Sequence, residues 1–307
     1  MSATQRVVQR LKGPVVPVNL CFTDDDQLDL EAIGRYVGWL CEQHVPVVLL
    51  TYGSSEFMSL TDDEIWALTA RVGRAVAGGS LFIASTGWWP PARCREFLQH
   101  AEASGADAVK VQIHPWMGTR REVLLGYFDA VQDATSLPLL VWGNWPSPYP
   151  VDVVAELARR PQICGIKNDG DPFYVYYDLL RATRDQDFAV ISGGQMRNFA
   201  FGYPLGSPAY LCTVAPFRPD VALRFYGALV AGQAQQAWDM VFRYEEPWLK
   251  LAEELSWLPC IKSALQACGL YPGRRLRAPA QWHSDEQYQH VRRTLEEVFG
   301  PMQPVGL

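Results

Sequence analysis

Residues 15–53 read VVPVNLCFTDDDQLDLEAIGRYVGWLCEQHVPVVLLTYG. Two β-rich apolar runs, VVPVNL from Val15 and VVLLTYG from Val47, flank a segment of helical period. In that segment Leu30, Ile33, Val37, Leu40, Cys41 and His44 fall at three- and four-residue steps, which makes one apolar helix face. Runs that are apolar almost throughout suit strands buried on both faces, as in a parallel sheet covered by helices. The pattern then repeats. Further runs begin at Leu81, Ala108, Leu137, Ile163, Phe188 and Ala209, so the eight starts lie 21 to 34 residues apart. A strand, a helix and two loops need about this length. The helix after the second run carries its own start signal, a capping box of Thr61 and Glu64. Eight such units predict an α/β fold, a (β/α)8 TIM barrel. A doubly wound sheet would show a glycine-rich phosphate turn after its first strand, and CFTDDD stands there instead.

Beyond the eighth run the chain reads as helical over 219–233, 234–256 and 259–268, with a last helix over roughly 284–299. This exceeds what an eighth barrel helix needs. Residues 13–226 are therefore assigned to the barrel and 227–307 to a C-terminal helical extension, packed on it because no Ser/Gly linker intervenes. Hydrophobic residues at 49% and charged residues at 20% exclude a disordered chain. A net charge of -6 argues against nucleic acid or a membrane surface as partner. No apolar run reaches the ~18 residues of a membrane span, and MSATQRVVQRLKGP lacks a signal-peptide core, so a cytoplasmic protein is expected. Seven cysteines without a CxxC pair read as reduced and buried, not as a zinc site.

A barrel of this kind places its active site at the C-terminal ends of the strands. Lys167 follows Ile163-Cys164-Gly165-Ile166 and so sits at the mouth end of the sixth strand. Only five lysines occur against 22 arginines, which makes each position informative. A strand lysine points into the barrel or into the helix layer, and either place disfavours a permanent charge. A neutral amine there can attack a ketone and form a Schiff base. The alternative is a lysine paired with a carboxylate such as Asp169. Lys110, earlier in the fourth strand, is read as a barrel-interior ion pair or an outward amine. After the second strand, Gly53, Ser54, Ser55 and Glu56 offer two hydroxyls and free backbone N–H groups, an anion nest suited to a carboxylate. An ordinary strand–helix loop is the alternative.

These residues carry a resemblance to the dihydrodipicolinate synthase / N-acetylneuraminate lyase family. GIKNDGD, with Lys167, resembles the GIKDxxGD segment holding that family's Schiff-base lysine, and YGSSEFMSLTDDE resembles its GTTGEFxSLTxDE carboxylate loop. GADAV at 105–109, ISGG at 191–194 and SPAYLCTVAPFRPDVALRFY at 207–226 match further, the last most like the sugar-acid dehydratase branch. The resemblance implies a Schiff base through Lys167, no metal or cofactor, and a homo-oligomer, a tetramer or dimer. It puts Ser54 at the carboxylate-binding position, with Gly53 and Ser55 beside it, and Gly193 in the binding site. The family's proton-shuttle tyrosine falls on Trp142, and its synthase arginine on Ser147 or Pro148. Indole cannot supply a titratable proton. Tyr52, Tyr149 and His114 stand as candidate replacements, and Trp88, Trp89, Trp116, Trp142 and Trp145 predict an aromatic rim for a bulky or apolar substrate portion.

The expected function is that of a lyase acting on a small-molecule 2-oxo acid through a lysine Schiff base. Aldol cleavage, aldol addition and dehydration of a keto-deoxy sugar acid or a specialised-metabolite keto acid share this intermediate. The competing reading is a non-catalytic or repurposed keto-acid-binding barrel that has lost the tyrosine relay. Retention of a buried amine speaks against it.

Overall fold

All eight apolar runs are strands of one closed parallel barrel, paired in chain order. They are β1 (Gly13–Pro17), β2 (Val47–Leu49), β3 (Leu81–Ser85), β4 (Ala108–Val111), β5 (Leu139–Gly143), β6 (Ile163–Asn168), β7 (Ala189–Ser192) and β8 (Ala209–Leu211). The computed structural model describes residues 1–143, 148–169, 173–302 and 304–307. A leading helix, α1 (Ala3–Arg10), precedes the barrel. The outer ring is α2 (Leu30–Glu42), α3 (Asp62–Val76), α4 (Pro91–Ala103), α5 (Arg121–Val131), α6 (Val151–Leu157), α7 (Phe173–Thr183), α8 (Gln195–Gly202) and α9 (Pro219–Val230). Then follow α10 (Ala234–Met240), a π turn (Val241–Glu245), α11 (Glu246–Leu255), α12 (Trp257–Ala267) and α13 (Asp285–Phe299).

Strands buried on both faces divide the apolar material in two. Inside the barrel, Val15, Val47, Leu49, Leu81, Ile83, Leu140, Cys164 and Ile191 fill the lumen. The alternate residues of the strands, among them Val16, Val48, Phe82 and Val109, meet the helices. Helix α1 was not foreseen. Ser2 and Gln5 form its capping box, and Val7 and Leu11 join the lumen cluster, so it closes the barrel at the N-terminal ends of the strands.

The C-terminal helices share the outer core. Trp248, Cys260, Ile261 and Leu265 pack in the same cluster as Tyr36, Phe217 and Phe225, and the Phe217 and Trp248 rings lie 4.8 Å apart. Helix α9 runs on through residues 226 and 227 to Val230. The Thr61–Glu64 capping box is present. Arg277 from the C-terminal segment grips Glu64 with two guanidinium N–H donors, at 2.8 and 2.6 Å. Among the described residues no helix is long and apolar enough to cross a membrane.

Candidate active site

Strict alternation along β6 would not put Cys164 and Lys167 on one face. A bulge does. Leu139 pairs with Ile163, but Leu140 pairs with Gly165, so Cys164 is the extra residue. Beyond it the parity flips, and Lys167 comes level with Trp142 on β5 and with the lumen residue Ile191 on β7. Gly165 permits this, because a Cβ there would run into the backbone carbonyl oxygen of Ala189. The glycine of the GIK segment thus allows the register that turns Lys167 into the barrel mouth. Lys167 is 2% exposed.

Asp169 meets the amine. Its Oδ2 contacts Lys167 Nζ and also accepts the Trp142 indole N–H at 2.7 Å. Its backbone N–H donates to the Gly143 carbonyl at 2.8 Å, tying it to the end of β5. The ion pair weighed against catalysis therefore exists. It also satisfies a buried polar group that would otherwise stand unpartnered.

Lys110 points into the same lumen rather than outward. It is fully buried, and its one hydrogen bond among the described residues is a donation to Thr51 Oγ1 at 3.3 Å. Nζ lies 4.3 Å from the centre of the Trp142 ring. Burial holds its pKa well below the ordinary lysine range, with Lys167 adding repulsion and Asp169 opposing it. The interior ion pair expected of Lys110 is replaced by a hydroxyl and an indole face. Of the other lysines, Lys12 and Lys250 are exposed, and Lys262 is buried against Glu56.

The loop after β2 is built by its own backbone. Ser55 N–H donates to Thr51 O at 2.9 Å, Glu56 N–H to Gly53 O at 3.0 Å and Phe57 N–H to Tyr52 O at 3.0 Å. Ser55 Oγ donates to Val18 O at 2.6 Å and accepts Thr51 N–H at 3.1 Å, so its hydroxyl is committed to the scaffold. The half-buried Ser54 has no side-chain hydrogen bond among the described residues, and its carbonyl accepts from Asn19 Nδ2 at 3.2 Å. Glu56 adopts the left-handed region, φ 50°. Its carboxylate does not close the loop on itself but accepts from Lys262 Nζ at 2.9 Å, while Lys262 also donates to Leu20 O at 2.5 Å. The sequence reading missed Lys262.

The remaining candidates separate. Tyr52 stacks on Trp88 with ring centres 4.0 Å apart, and His114 meets the same indole edge-on at 5.1 Å. The three form an aromatic wall across the ends of β2, β3 and β4. His114 Nδ1 accepts the Trp116 N–H at 3.2 Å. Tyr149 is buried with its hydroxyl unpartnered among the described residues, and burial pushes its pKa far up. The expected rim of five tryptophans thins out. Trp89 leaves the mouth to donate to Asp62 in α3 at 2.8 Å and to pack on Phe97. Trp116 is 93% exposed, and Trp145 lies outside the described residues. Gly193 donates its N–H to Asn168 O at 2.7 Å. A Cβ on it would overlap Asp169 Oδ1 and sit 2.7 Å from Asp169 Cα, so its role in the structure is to make room for Asp169.

Known proteins place this architecture. The model of the dihydrodipicolinate synthetase family matches residues 10–298. A Streptomyces avermitilis protein named "Probable 5-dehydro-4-deoxyglucarate dehydratase 2" is 27% identical over 263 residues, covering 82% of this chain and 78% of its own. The 4-hydroxy-tetrahydrodipicolinate synthase of Methanosarcina barkeri is 27% identical over 285 residues, covering 90% and 94%. Among solved structures, Escherichia coli YagE in complex with pyruvate superposes with a TM-score of 0.86 at 22% identity, covering 94% of this chain and 99% of that one.

Proposed function

Because the chain belongs to the dihydrodipicolinate synthetase family, we propose that it is a class I lyase working on a 2-oxo acid through a Schiff base at Lys167. One observation carries this reading: the bulge at Cys164 turns Lys167, the one mouth-level lysine of the lumen among the described residues, toward the site, with an acidic partner on its Nζ. The neutral amine adds to the C2 ketone, the carbinolamine loses water, and the iminium draws electrons from C3. A bond from C3 to a carbon, or from the next carbon to a leaving group, then breaks or forms at lower cost. Relatives whose names describe a sugar-acid dehydratase and a synthase support this shared intermediate. The aromatic wall of Tyr52, Trp88 and His114 favours a substrate with a ring or apolar portion beyond the keto acid.

Borohydride reduction in the presence of pyruvate tests the proposal. The protein should gain the mass of one reduced pyruvate adduct, mapped to the peptide containing Gly165-Ile166-Lys167. A label on Lys110 alone overturns the assignment. No label, with pyruvate still bound, favours the binding-only barrel.

Ser54 is the proposed carboxylate anchor. Its hydroxyl is uncommitted among the described residues, whereas that of Ser55 is spent on Val18 and Thr51. A hydrogen bond to a charged acceptor is worth about 1.5–3 kcal/mol. Ser54→Ala should therefore weaken pyruvate binding roughly ten- to a hundredfold, read from imine yield against pyruvate concentration. Ser55→Ala should lower the urea midpoint instead. An unchanged pyruvate dependence in Ser54→Ala places the anion site elsewhere.

A further inference from the structure

Two contacts on the side chain, one on the backbone and a space left by glycine fix Asp169. Oδ2 touches Lys167 Nζ. The same oxygen accepts the Trp142 N–H at 2.7 Å. Gly143 O holds its backbone, and Gly193 is the one residue type that leaves Oδ1 its space. The side chain keeps 24% exposure, so it faces the mouth rather than the core. An ion pair alone needs no such arrangement, since any carboxylate near Nζ neutralises a buried lysine.

We infer that Asp169 is the proton-transfer residue of the Lys167 imine and that Trp142 is its positioning residue. The inference rests on the Schiff-base reading above and adds the acid–base group that reading leaves open. The geometry disfavours the other candidates. Tyr52 is stacked against Trp88, His114 is tied to the Trp116 N–H and the Trp88 edge, and the Tyr149 hydroxyl is buried without a partner among the described residues. None of the three has a hydrogen bond to Lys167 or Asp169 among the described residues, while Asp169 lies against the reacting nitrogen itself.

The step balances without any further reagent. In the iminium, C2 is bonded to Nζ and C3 is one bond beyond, within reach of a carboxylate already in contact with Nζ. The Asp169 carboxylate takes a proton from C3. The C3–H pair becomes the C2–C3 double bond, and the C2–N π pair moves onto nitrogen. The products are a neutral enamine and a protonated Asp169, and the reverse step returns the proton. Trp142 has only a donor to offer. Donating to the carboxylate, it fixes the position of the oxygen that acts as base. The charged groups facing Asp169 among the described residues are Lys167 on β6 and Lys110 on β4, the latter held 4.3 Å from the centre of the Trp142 ring.

Exchange of the pyruvate C3 protons in D2O, followed by NMR, reads this step directly, with borohydride trapping run in parallel on the full chain. Wild type should trap and exchange. Asp169→Asn should still trap pyruvate on Lys167, while exchange falls about 10²–10⁴-fold. Asp169→Glu should recover part of it. Trp142→Phe should keep the wild-type dependence of trapping on pyruvate while exchange slows, because the carboxylate oxygen is no longer held in place. An Asp169→Asn variant that traps but does not exchange supports the inference. So does one that fails to trap, provided Trp142→Phe traps like wild type and exchanges more slowly. Exchange at the wild-type rate in Asp169→Asn overturns it and leaves the Schiff base standing. A variant without imine, paired with wild-type exchange in Trp142→Phe, makes Asp169 a structural partner only and also overturns it. Failure of wild type to trap removes the Schiff-base reading and this inference with it.

Discussion

Lys167→Met should leave no reducible adduct with any 2-oxo acid, whereas Lys110→Met should keep the adduct. Both amines occupy one lumen, so the choice between them is a real one. Acidity does not make it. Burial, with Lys167 nearby, holds the Lys110 pKa well below the usual value, so acidity alone does not disfavour Lys110. Access makes the choice. Lys110 pairs with Leu140, two residues below Trp142, and its Nζ is covered by the Trp142 ring and bonded to Thr51. A substrate would have to displace the indole to reach it. Lys167 stands level with Trp142, at the open end. Removing a covalent nucleophile costs on the order of 10⁶ in kcat where it has been measured, so Lys167→Met should lose all detectable turnover. Intact mass after borohydride treatment of both variants decides the matter, and an adduct surviving in Lys167→Met reverses the roles.

The same comparison carries a stability signature. The Lys110 pKa is lower folded than unfolded, so between the two values the unfolded chain binds the extra proton. Stability then rises with pH across that window. Lys110→Met should remove this slope and leave the protein as stable at neutral pH as wild type or more so, read from urea midpoints.

Much of this molecule is legible in its sequence, for a physical reason. Strands buried on both faces leave no polar alternation, so Val15, Val47 and their six successors stand out as runs, and helix caps such as Thr61 mark what lies between. What is not legible depends on register and on distant partners. Reading Lys167 at the end of β6 leaves its direction open, because one bulge residue reverses every side chain beyond it. Gly165, a glycine inside a strand, is the available signal of that bulge. Asp169 is visible as a partner for Lys167, yet its hold by Trp142 and Gly193 comes from neighbouring strands. The mouth aromatics are over-read for a similar reason: adjacent indoles Trp88 and Trp89 look alike in sequence, but Asp62 of α3 draws Trp89 into the helix layer. The Glu56–Lys262 pair spans 206 residues and crosses from the β2 loop to α12, beyond any local pattern.

That pair supports the last expectation. Lys262→Met should cost about 3–5 kcal/mol at neutral pH, the usual cost of stranding one half of a buried ion pair. Both side chains are almost wholly buried, at 1% and 2% exposure. Lys262 also satisfies Leu20 O and faces the Phe22 ring. Burial already raises the Glu56 pKa above the ordinary 4.5, with Lys262 the main opposing influence. The folded state therefore holds this proton more tightly than the unfolded one. Its contribution is fullest below the unfolded pKa and is lost as pH rises through the folded one. Without Lys262 the folded pKa climbs further, so the deficit should be largest at neutral pH and shrink in mildly acidic buffer. The loss also reaches the site. Glu56 sits at φ 50°, directly after Gly53, Ser54 and Ser55, and once unpaired it no longer anchors that loop, so pyruvate binding should weaken along with stability. Glu56→Gln combined with Lys262→Met replaces the stranded charge by a neutral amide and should recover a large part of the loss. Urea midpoints at the two pH values measure all of this. A Lys262→Met midpoint equal to wild type at neutral pH would show that the loop stands without α12.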